Sequence, residues 1–379
     1  MRLLFGLFAA ALFFAGCMQP AATTDSSAPA AVLDPALYKV PPIPKADAAK
    51  LLADHHAFVQ AFPNRSGNSA DHEAARQELL KMFASFGLTT YRFNFTTKSL
   101  ANQADIVGVK WGLDRNHWVF VGGHYDIVNT PSCSQNIPMV GPPPVSAPVC
   151  PIATQGAYDD ASGTFLTQHL ARIFSAMNAT PYYTIAFTAY DGEELGLQGA
   201  SAIVAAIQEG NLTIGGVNDI TLVGDLDIDM VGINWPGTMA PINVITNTQN
   251  GTKLVQKRAK DLGFPDDQIL PKANVQGGSS DYAAFWRVKT PAPVPTIFLI
   301  SDFNELGAPA PAPDGAVTPT TSQGLYPFWH REDTIASMEL AAGGASNLQM
   351  GFQTAADLTA GIVHFLAYEP TVHLDATPR

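Results

Sequence analysis

Three short apolar runs of the sequence each end in residues that can bind a metal ion. The first run ends in GGHYD, the second in DGEE and the third in DID. The metal-competent side chains in these motifs include His124, Asp126, Glu193, Glu194 and Asp229. In open α/β sheets ligands bind at the carboxyl ends of the strands, so strands in these runs would bring the side chains together. The spacing therefore predicts a shared metal-binding or ligand-binding site.

Two further clusters lie where helical segments begin. Asp159 and Asp160 stand in the motif GAYDDASG, and His330 stands in WHREDT. Taken singly, each cluster has a simpler explanation, because an Asp often caps a helix and an acidic pair such as Glu193 with Glu194 favours the positive end of a helix. Five clusters at element boundaries of one chain instead favour a common site.

In this order, the five motifs closely resemble those of the co-catalytic zinc aminopeptidases of clan MH. This is the family of aminopeptidases S and Y, which also contains the glutaminyl cyclases. The resemblance extends over roughly residues 48–368, and the motif DGEELGLQG at 191–199 is its most specific part. It implies a zinc exopeptidase fold and hydrolysis of the N-terminal peptide bond of peptides.

The resemblance also implies two Zn²⁺ ions with ligands at matching positions. The five ligands would be His124, Asp159, Glu194, Asp229 and His330. Asp159 would bridge the two ions. His124 and Asp229 would complete one zinc site, and the other two ligands would complete the second. Imidazole nitrogens and carboxylate oxygens are good zinc ligands, and a position left for water makes such a site catalytic.

Two acidic residues beside the ligands would have other roles in this family. Asp126 would hold the imidazole of His124 from behind, as carboxylates commonly do at metal sites. Glu193 would be the general base that takes a proton from a metal-bridging water and delivers it to the leaving amine. The family also has a cis peptide bond after the bridging aspartate, which would join Asp159 to Asp160.

Some residues are candidates for substrate binding. They are Asp281, Tyr282, Met230, Tyr326 and Trp329. Tyr282 stands where many relatives have a histidine, and the aromatic residues before His330 could form an apolar wall, although such residues are ordinarily core. Asp229 and Glu193 offer negative charge for an α-ammonium group. The expected partner is therefore a peptide with a free, hydrophobic N-terminal residue.

Strand and helix patterns alternate along the chain. Helices are predicted at 48–62, 70–86, 165–177, 195–207, 254–262 and 354–368. Strands are predicted at 106–109, 118–122, 183–188, 222–231, 242–246 and 296–300. Such alternation is typical of a largely parallel sheet covered on both faces. We expect an α/β fold, with a zinc peptidase domain at 45–370 as a single domain whose mostly parallel, mixed central sheet is flanked by helices.

The first residues resemble an export signal. Arg2 precedes an apolar run at 3–15 that is too short to span a bilayer. The small residues before Cys17 resemble a bacterial lipobox, which predicts a lipoprotein-type signal peptide at 1–17 with Cys17 lipidated. A flexible tether at 18–44 and a C-terminal tail at 371–379 complete the expected organisation. The protein would be exported and either held in the periplasm or outer membrane or secreted.

Charge and cysteine content narrow the possible partners. The formal charge is −12, and no cluster of Lys or Arg stands against it. Nucleic acid and anionic membrane surfaces would be repelled, so contact with a membrane is expected only through the lipid anchor. In an oxidising compartment Cys133 and Cys150, which share a Pro-rich segment, are expected to form a disulfide.

The sequence is compatible with three functions. The main hypothesis is a metallo-aminopeptidase. The first alternative is a glutaminyl-peptide cyclotransferase, which uses a single zinc ion and no attacking water. The second is an inactive binding lipoprotein, but the presence of Glu193 and of all five ligands argues against it. The motif DDASG at 159–163 favours the peptidase over the cyclase, because cyclases tend to have Asp-Ser after the bridging position.

Overall fold

The structure, a computed structural model, describes the chain from residue 34 to residue 370 with gaps. The described residues are 34–67, 69–97, 102–128, 154–234, 242–265, 268–273, 280–289, 293–301, 326, 328–330 and 332–370. Cys17, Cys133 and Cys150 lie outside them, as do the expected signal peptide and the C-terminal tail. Lipidation of the first cysteine and the disulfide between the other two therefore stay predictions.

A mixed sheet forms the centre of the described part of the chain. Its eight strands lie in the order β1-β2-β4-β3-β5-β8-β6-β7. They are β1 Thr89–Phe95, β2 Gln103–Lys110, β3 Asp114–His124, β4 Tyr183–Tyr190, β5 Thr221–Ile228, β6 Ile242–Thr246, β7 Ile269–Ala273 and β8 Thr296–Ile300. The pairs β3/β4, β3/β5, β5/β8 and β6/β7 are parallel. The pairs β1/β2, β2/β4 and β6/β8 are antiparallel, so the predicted mixed sheet is confirmed.

Helices cover both faces of this sheet. They are α1 Ala48–Ala61, α2 Ala70–Ser85, α3 Ala161–Ser175, α4 Gln198–Gln208, α5 Gln249–Asp261, α6 Tyr282–Trp286, α7 Ile335–Ala342 and α8 Ala345–Tyr368. Buried residues of α1, α3 and α8 pack on one face, and those of α4 and α6 pack on the other. None of the helices in the described residues has the length and apolar character needed to span a bilayer.

Polar side chains set where several helices begin. The carboxylate of Asp47 accepts the backbone N–H of Lys50 and starts α1. Ser69 starts α2 in the same way. Asp160 starts α3, because its carboxylate accepts the backbone N–H of Gly163. Each of these contacts satisfies a donor that the first helical turn leaves unpaired.

The domain begins before the residue expected from composition. The tether was predicted to run to residue 44, but Tyr38 and Ile43 pack against the main core. The Tyr38 hydroxyl donates to the carbonyl of Thr180 at 2.7 Å, and the imidazole of His364 lies 2.7 Å from the carbonyl of Pro41. Two apolar side chains with fixed polar contacts are enough to hold this short stretch on the domain.

Candidate metal centre

The carboxyl ends of three neighbouring strands meet at one edge of the sheet. Because β3 pairs in parallel with both β4 and β5, the three strands end on the same side. His124 is the last residue of β3. The turn that carries Glu193 and Glu194 follows β4, and Asp229 follows β5. The sheet therefore brings together the residues that the sequence places in three separate motifs.

All five predicted ligands fall into two groups that share one carboxylate. The ligand atoms of His124, Asp159 and Asp229 lie within 4.8 Å of one another, as do those of Asp159, Glu194 and His330. The two oxygens of Asp159 face different histidines. Its Oδ1 lies 3.1 Å from Nε2 of His124, and its Oδ2 lies 3.1 Å from Nε2 of His330. One carboxylate is thus in reach of two adjacent cations.

The chemistry of these groups fits a metal ion. Within the described residues, three buried ligand atoms have no hydrogen-bond partner: Nε2 of His124, Oε1 of Glu194 and Oδ1 of Asp229. Burial raises the pKa of the Glu194 and Asp229 carboxyls, since the charged form is desolvated. A cation would satisfy these atoms, and a set of imidazoles and carboxylates suits zinc.

Nearby carboxylates, Asp159 among them, raise the pKa of both imidazoles. Burial lowers the pKa of His124, but the carboxylates of Glu193, Asp126 and Asp159 outweigh it and raise that pKa well above its usual value. For His330 burial again opposes protonation, while Asp159 and Glu194 raise the pKa to about 10. Both rings would therefore hold protons in the absence of a cation. Binding a metal ion must release them, so metal affinity should rise with pH.

Glu193 lies beside the two groups without belonging to either. Its Oε2 is 3.8 Å from Nε2 of His124. Burial raises the pKa of its carboxyl well above the usual value. Asp126 fixes the backbone here, because its two oxygens accept the N–H groups of Glu193 at 3.1 Å and of Glu194 at 3.2 Å. The same carboxylate lies 3.5 Å from Nδ1 of His124.

The turn that carries Asp159 is held by two further aspartates. The peptide bond between Asp159 and Asp160 is cis, as the resemblance implies. The Asp160 carboxylate accepts the backbone N–H groups of His124 at 3.2 Å and Met230 at 3.1 Å. The Asp333 carboxylate accepts the N–H of Asp159 at 2.9 Å. Asp160 therefore joins the ends of β3 and β5, and Asp333 holds the shared ligand.

Two glycines of the motifs are required by close packing at this junction. A Cβ atom at Gly163 would lie 2.0 Å from the carbonyl oxygen of Ile228, and one at Gly123 would lie 2.5 Å from the same oxygen. No side chain fits at such distances. The glycines of GGHYD and DDASG thus allow β3, β5 and the start of α3 to approach one another and bring their ligands together.

Sequence reasoning missed the contacts that hold the turn after β4. The Asp191 carboxylate lies 2.8 Å from Nε2 of His72 and accepts from Arg76 at 3.2 Å, both on α2. It also accepts the N–H of Ala104 at 2.8 Å. Asp191 belongs to the motif DGEE, but nothing near His72 in the sequence indicates that α2 supplies its partner. This network fixes the turn that carries Glu193.

The candidate substrate residues divide into buried and accessible ones. Tyr282 and Asp281 are buried; the N–H of Tyr282 donates to Asp227 at 2.8 Å. Tyr326 is also buried, and its hydroxyl donates to Asp333 at 2.7 Å. All three are about as buried as the predicted ligand His124, and their role in substrate binding stays a prediction.

Two of the candidates remain in reach of a substrate. Trp329 is 38% exposed, its ring stacks on that of His330 with centroids 3.8 Å apart, and its indole N–H donates to Asp159 at 2.6 Å. Met230 is half-buried beside Asp229. Trp329 therefore presents an apolar face directly next to both ligand groups.

A comparison with known families identifies the class to which this site belongs. The model of peptidase family M28 matches residues 105–347, and the chain belongs to that family. The matched residues include all five predicted ligands, the neighbouring Glu193 and Asp126, and the sheet edge that carries them.

Similar proteins of known name agree with this assignment. Aminopeptidase YwaD of Bacillus subtilis is 27% identical over 247 residues, which is 63% of this chain and 46% of that protein. Other curated relatives are probable zinc metalloproteases, and the chain spans less than half the length of the curated relatives it matches. The family relationship thus supports zinc as the metal.

Solved structures show that the fold is shared. LapA aminopeptidase of Legionella pneumophila superposes with a TM-score of 0.58 at 17% identity, covering 87% of this chain and 77% of that one. A glutaminyl cyclase of Porphyromonas gingivalis superposes with a TM-score of 0.57 at 15% identity, covering 84% and 97%. The zinc exopeptidase fold is therefore established, and it is common to both reactions.

Proposed function

We propose that the protein is a zinc-dependent aminopeptidase that removes the first residue of peptides with a free amino terminus. This proposal rests mainly on the two ligand groups that share Asp159. The carboxylate of Glu193 lies next to them and belongs to neither group. A hydrolase needs both a metal site and a nearby base. Membership of family M28 and the similarity to an aminopeptidase support the same function.

We further propose that the site holds two zinc ions. Asp159 would bind both through its separate oxygens, with His124 and Asp229 at one ion and Glu194 and His330 at the other. When bound, paired zinc ions lower the pKa of water and polarise the carbonyl to be attacked. A complete set of ligands for a second ion favours hydrolysis over the cyclase reaction, which requires a single zinc.

Glu193 would move the protons of the reaction. Its carboxylate would take a proton from the attacking water and return it to the nitrogen of the departing peptide, a role typically worth about 10²- to 10⁴-fold in rate. The Asp126 carboxylate supports that role, because it holds the N–H of Glu193 and fixes where the side chain starts. A base whose backbone is fixed is held in the orientation that the proton transfer needs.

The amino end of the substrate would lie beside the same acids. Glu193 and Asp229 provide negative charge for an α-ammonium group, and the exposed ring of Trp329 provides an apolar surface for a first side chain. An acetylated amino group carries no charge and would leave buried carboxylates unpaired. A free amino terminus on a hydrophobic residue is therefore the proposed substrate feature.

A substrate panel tests this function against its alternatives. The purified protein is incubated with aminoacyl-nitroanilides and with peptides that begin with Gln, with zinc and with phenanthroline, alongside the Glu193→Gln variant. We expect release of free amino acid that requires both zinc and Glu193. Conversion of the Gln peptides to pyroglutamyl peptides without hydrolysis would establish the cyclase, and binding without turnover would establish an inactive scaffold.

A further inference from the structure

A buried arginine lies between two of the chain stretches that carry predicted ligands, those of His124 and Asp159. Arg65 lies between α1 and α2, and it is fully buried. Its guanidinium donates four hydrogen bonds, all to backbone carbonyls: Nε to Tyr125 at 2.7 Å, Nη1 to Phe62 at 3.0 Å and to Gln155 at 2.9 Å, and Nη2 to Gly156 at 2.9 Å. The planar fork thus spans several loops at once.

The acceptors belong to the stretches that end in metal ligands. Tyr125 stands between His124 and Asp126, so the bond to its carbonyl holds the end of β3. Gln155 and Gly156 begin the turn that leads to Asp159. Along the chain these two stretches are joined through residues 129–153. The guanidinium provides a direct noncovalent link.

Local packing is arranged around this side chain. A Cβ atom at Gly156 would lie 2.9 Å from Nη2 of Arg65 and 2.2 Å from a methyl carbon of Ile127, so only glycine gives the guanidinium room. The N–H of Gln155 donates to the carbonyl of Asp333 at 2.8 Å. The stretch before Asp159 is therefore held from two sides, by Arg65 and by Asp333.

The charge of Arg65 is matched by the carboxylates that organise the site. Burial lowers its pKa to about 10, while Asp333, Asp126 and Asp160 oppose that shift. The side chain therefore stays cationic at neutral pH. Each of these three aspartates accepts backbone N–H groups of a ligand or of its neighbour. The three acids that hold the ligand backbone thus stabilise the charge of Arg65.

We propose that Arg65 is a positioning residue for metal binding, which fixes the distance between His124 and Asp159 by clamping the carbonyls on either side. This inference rests on the proposed function, because it assumes that these ligands bind zinc. Within the described residues its hydrogen bonds all go to backbone carbonyls and none to a predicted ligand's side chain. Its effect should appear in zinc affinity, whereas an arginine that only stabilises the fold would affect unfolding alone.

The test compares zinc binding in two variants of Arg65 with a matched control. Arg65→Met removes the charge and all four bonds, and Arg65→Lys keeps the charge but lacks the planar fork. Arg258→Met is the control, because Arg258 is also buried and pairs with Asp261 and Glu369 of α5 and the end of α8. Zinc content after dialysis, zinc affinity by chelator competition and the melting temperature of metal-free protein are measured for each.

We expect Arg65→Met to bind zinc about ten-fold more weakly at one site or both, the lower end of the loss seen when partners of metal ligands are removed. Arg65→Lys should show a smaller loss in the same direction. Arg258→Met should lower the melting temperature with zinc affinity unchanged. Wild-type zinc affinity in a folded Arg65→Met protein would overturn the inference.

Two further outcomes are decisive. If Arg65→Met does not fold, Arg65→Lys decides the matter, and wild-type zinc affinity in that variant would again overturn the inference. If the wild-type protein itself binds no zinc, the proposed function fails, and the clamp loses its role with it. If the wild type and both Arg65 variants bind zinc equally well, the positioning role of Arg65 fails and the proposed function stands.

Discussion

One oxygen of the Asp126 carboxylate accepts the backbone N–H of Glu193 at 3.1 Å. Its second oxygen accepts the N–H of Glu194 at 3.2 Å, and the group also faces the imidazole of His124. This side chain therefore sets the position of the candidate base and of the predicted ligand Glu194, while the Asp126 backbone carbonyl lies 3.2 Å from Nδ1 of His124. It connects the end of one strand to the turn that follows the next.

Replacing Asp126 by Asn should weaken zinc binding and slow catalysis. The amide has only one acceptor oxygen, so its NH₂ group would face the N–H of Glu193 or Glu194, donor against donor. We expect a loss of about 10- to 100-fold in zinc affinity or activity, as for other partners of metal-binding histidines. Chelator competition and kcat/KM measure it. Asp261→Asn, an exposed carboxylate on α5, is the control and should change neither; an equal loss there would refute the special role of Asp126.

The two adjacent glutamates should respond differently to the same change. Glu193→Gln keeps the shape and removes the proton acceptor, so kcat should fall by about 10³-fold while zinc content stays near normal. Glu194→Gln removes a charged ligand and should lose zinc. Metal analysis combined with kcat distinguishes the two. Exchanged phenotypes would mean that the roles of the two residues have been assigned the wrong way round.

The sequence predicts most of the site because its ligands stand at the ends of regular elements. Predicted helices at 48–62 and 70–86 match α1 and α2 to within about one residue. Three of the five predicted ligands stand in motifs that follow strands and two in motifs that precede helices, and the resemblance to the zinc aminopeptidases assigns their roles. The antiparallel edge strand β1 and the short helices α6 and α7 were not predicted, because β1 is partly exposed and short segments carry little periodic signal.

The supporting contacts could not be predicted for a different reason. Arg65 acts on backbone carbonyls, and any residue type can offer one, so its partners leave no trace in the sequence. Asp333 and His72 bind groups that are about 120 residues away or more along the chain.

Tyr326→Phe separates a positioning role from a role in the pocket. The hydroxyl donates to Asp333, which in turn holds the N–H of Asp159. Removing it should cost about 1 kcal/mol of stability, the usual net value of one hydrogen bond. Zinc affinity should fall by only about a few-fold, because the hydroxyl acts on the predicted ligand Asp159 only through Asp333. KM for hydrophobic substrates should stay unchanged. A raised KM with normal zinc binding would instead place Tyr326 in the pocket wall.

His55 should make the protein less stable as the pH falls. Burial lowers its pKa to about 3, although its bond to the carbonyl of Ala157 opposes this. In the unfolded chain the imidazole takes up a proton near pH 6.5, which the folded state does not accept. Stability is therefore lost as pH drops below that value. Relative to His55→Gln, the wild type should lose about 2 kcal/mol between about pH 7 and pH 5.

Denaturant unfolding of the zinc-loaded proteins at several pH values measures this difference. Between about pH 7.5 and pH 9 the difference between wild type and His55→Gln should stay constant, because neither state then binds a proton at this site. That range serves as the internal control. A difference that does not grow below pH 6.5 would show that the folded protein accepts the proton readily.

The most direct test of the proposed zinc aminopeptidase activity compares the zinc-dependent cleavage of one peptide with that of its N-acetylated form. Metal-free protein receives increasing zinc, and mass spectrometry follows the release of the first residue. We expect no cleavage without zinc, activity that rises up to two ions per chain, and cleavage of the free peptide alone, since acetylation should raise the barrier by several kcal/mol. Full activity without metal, or equal cleavage of both peptides, would contradict a zinc aminopeptidase.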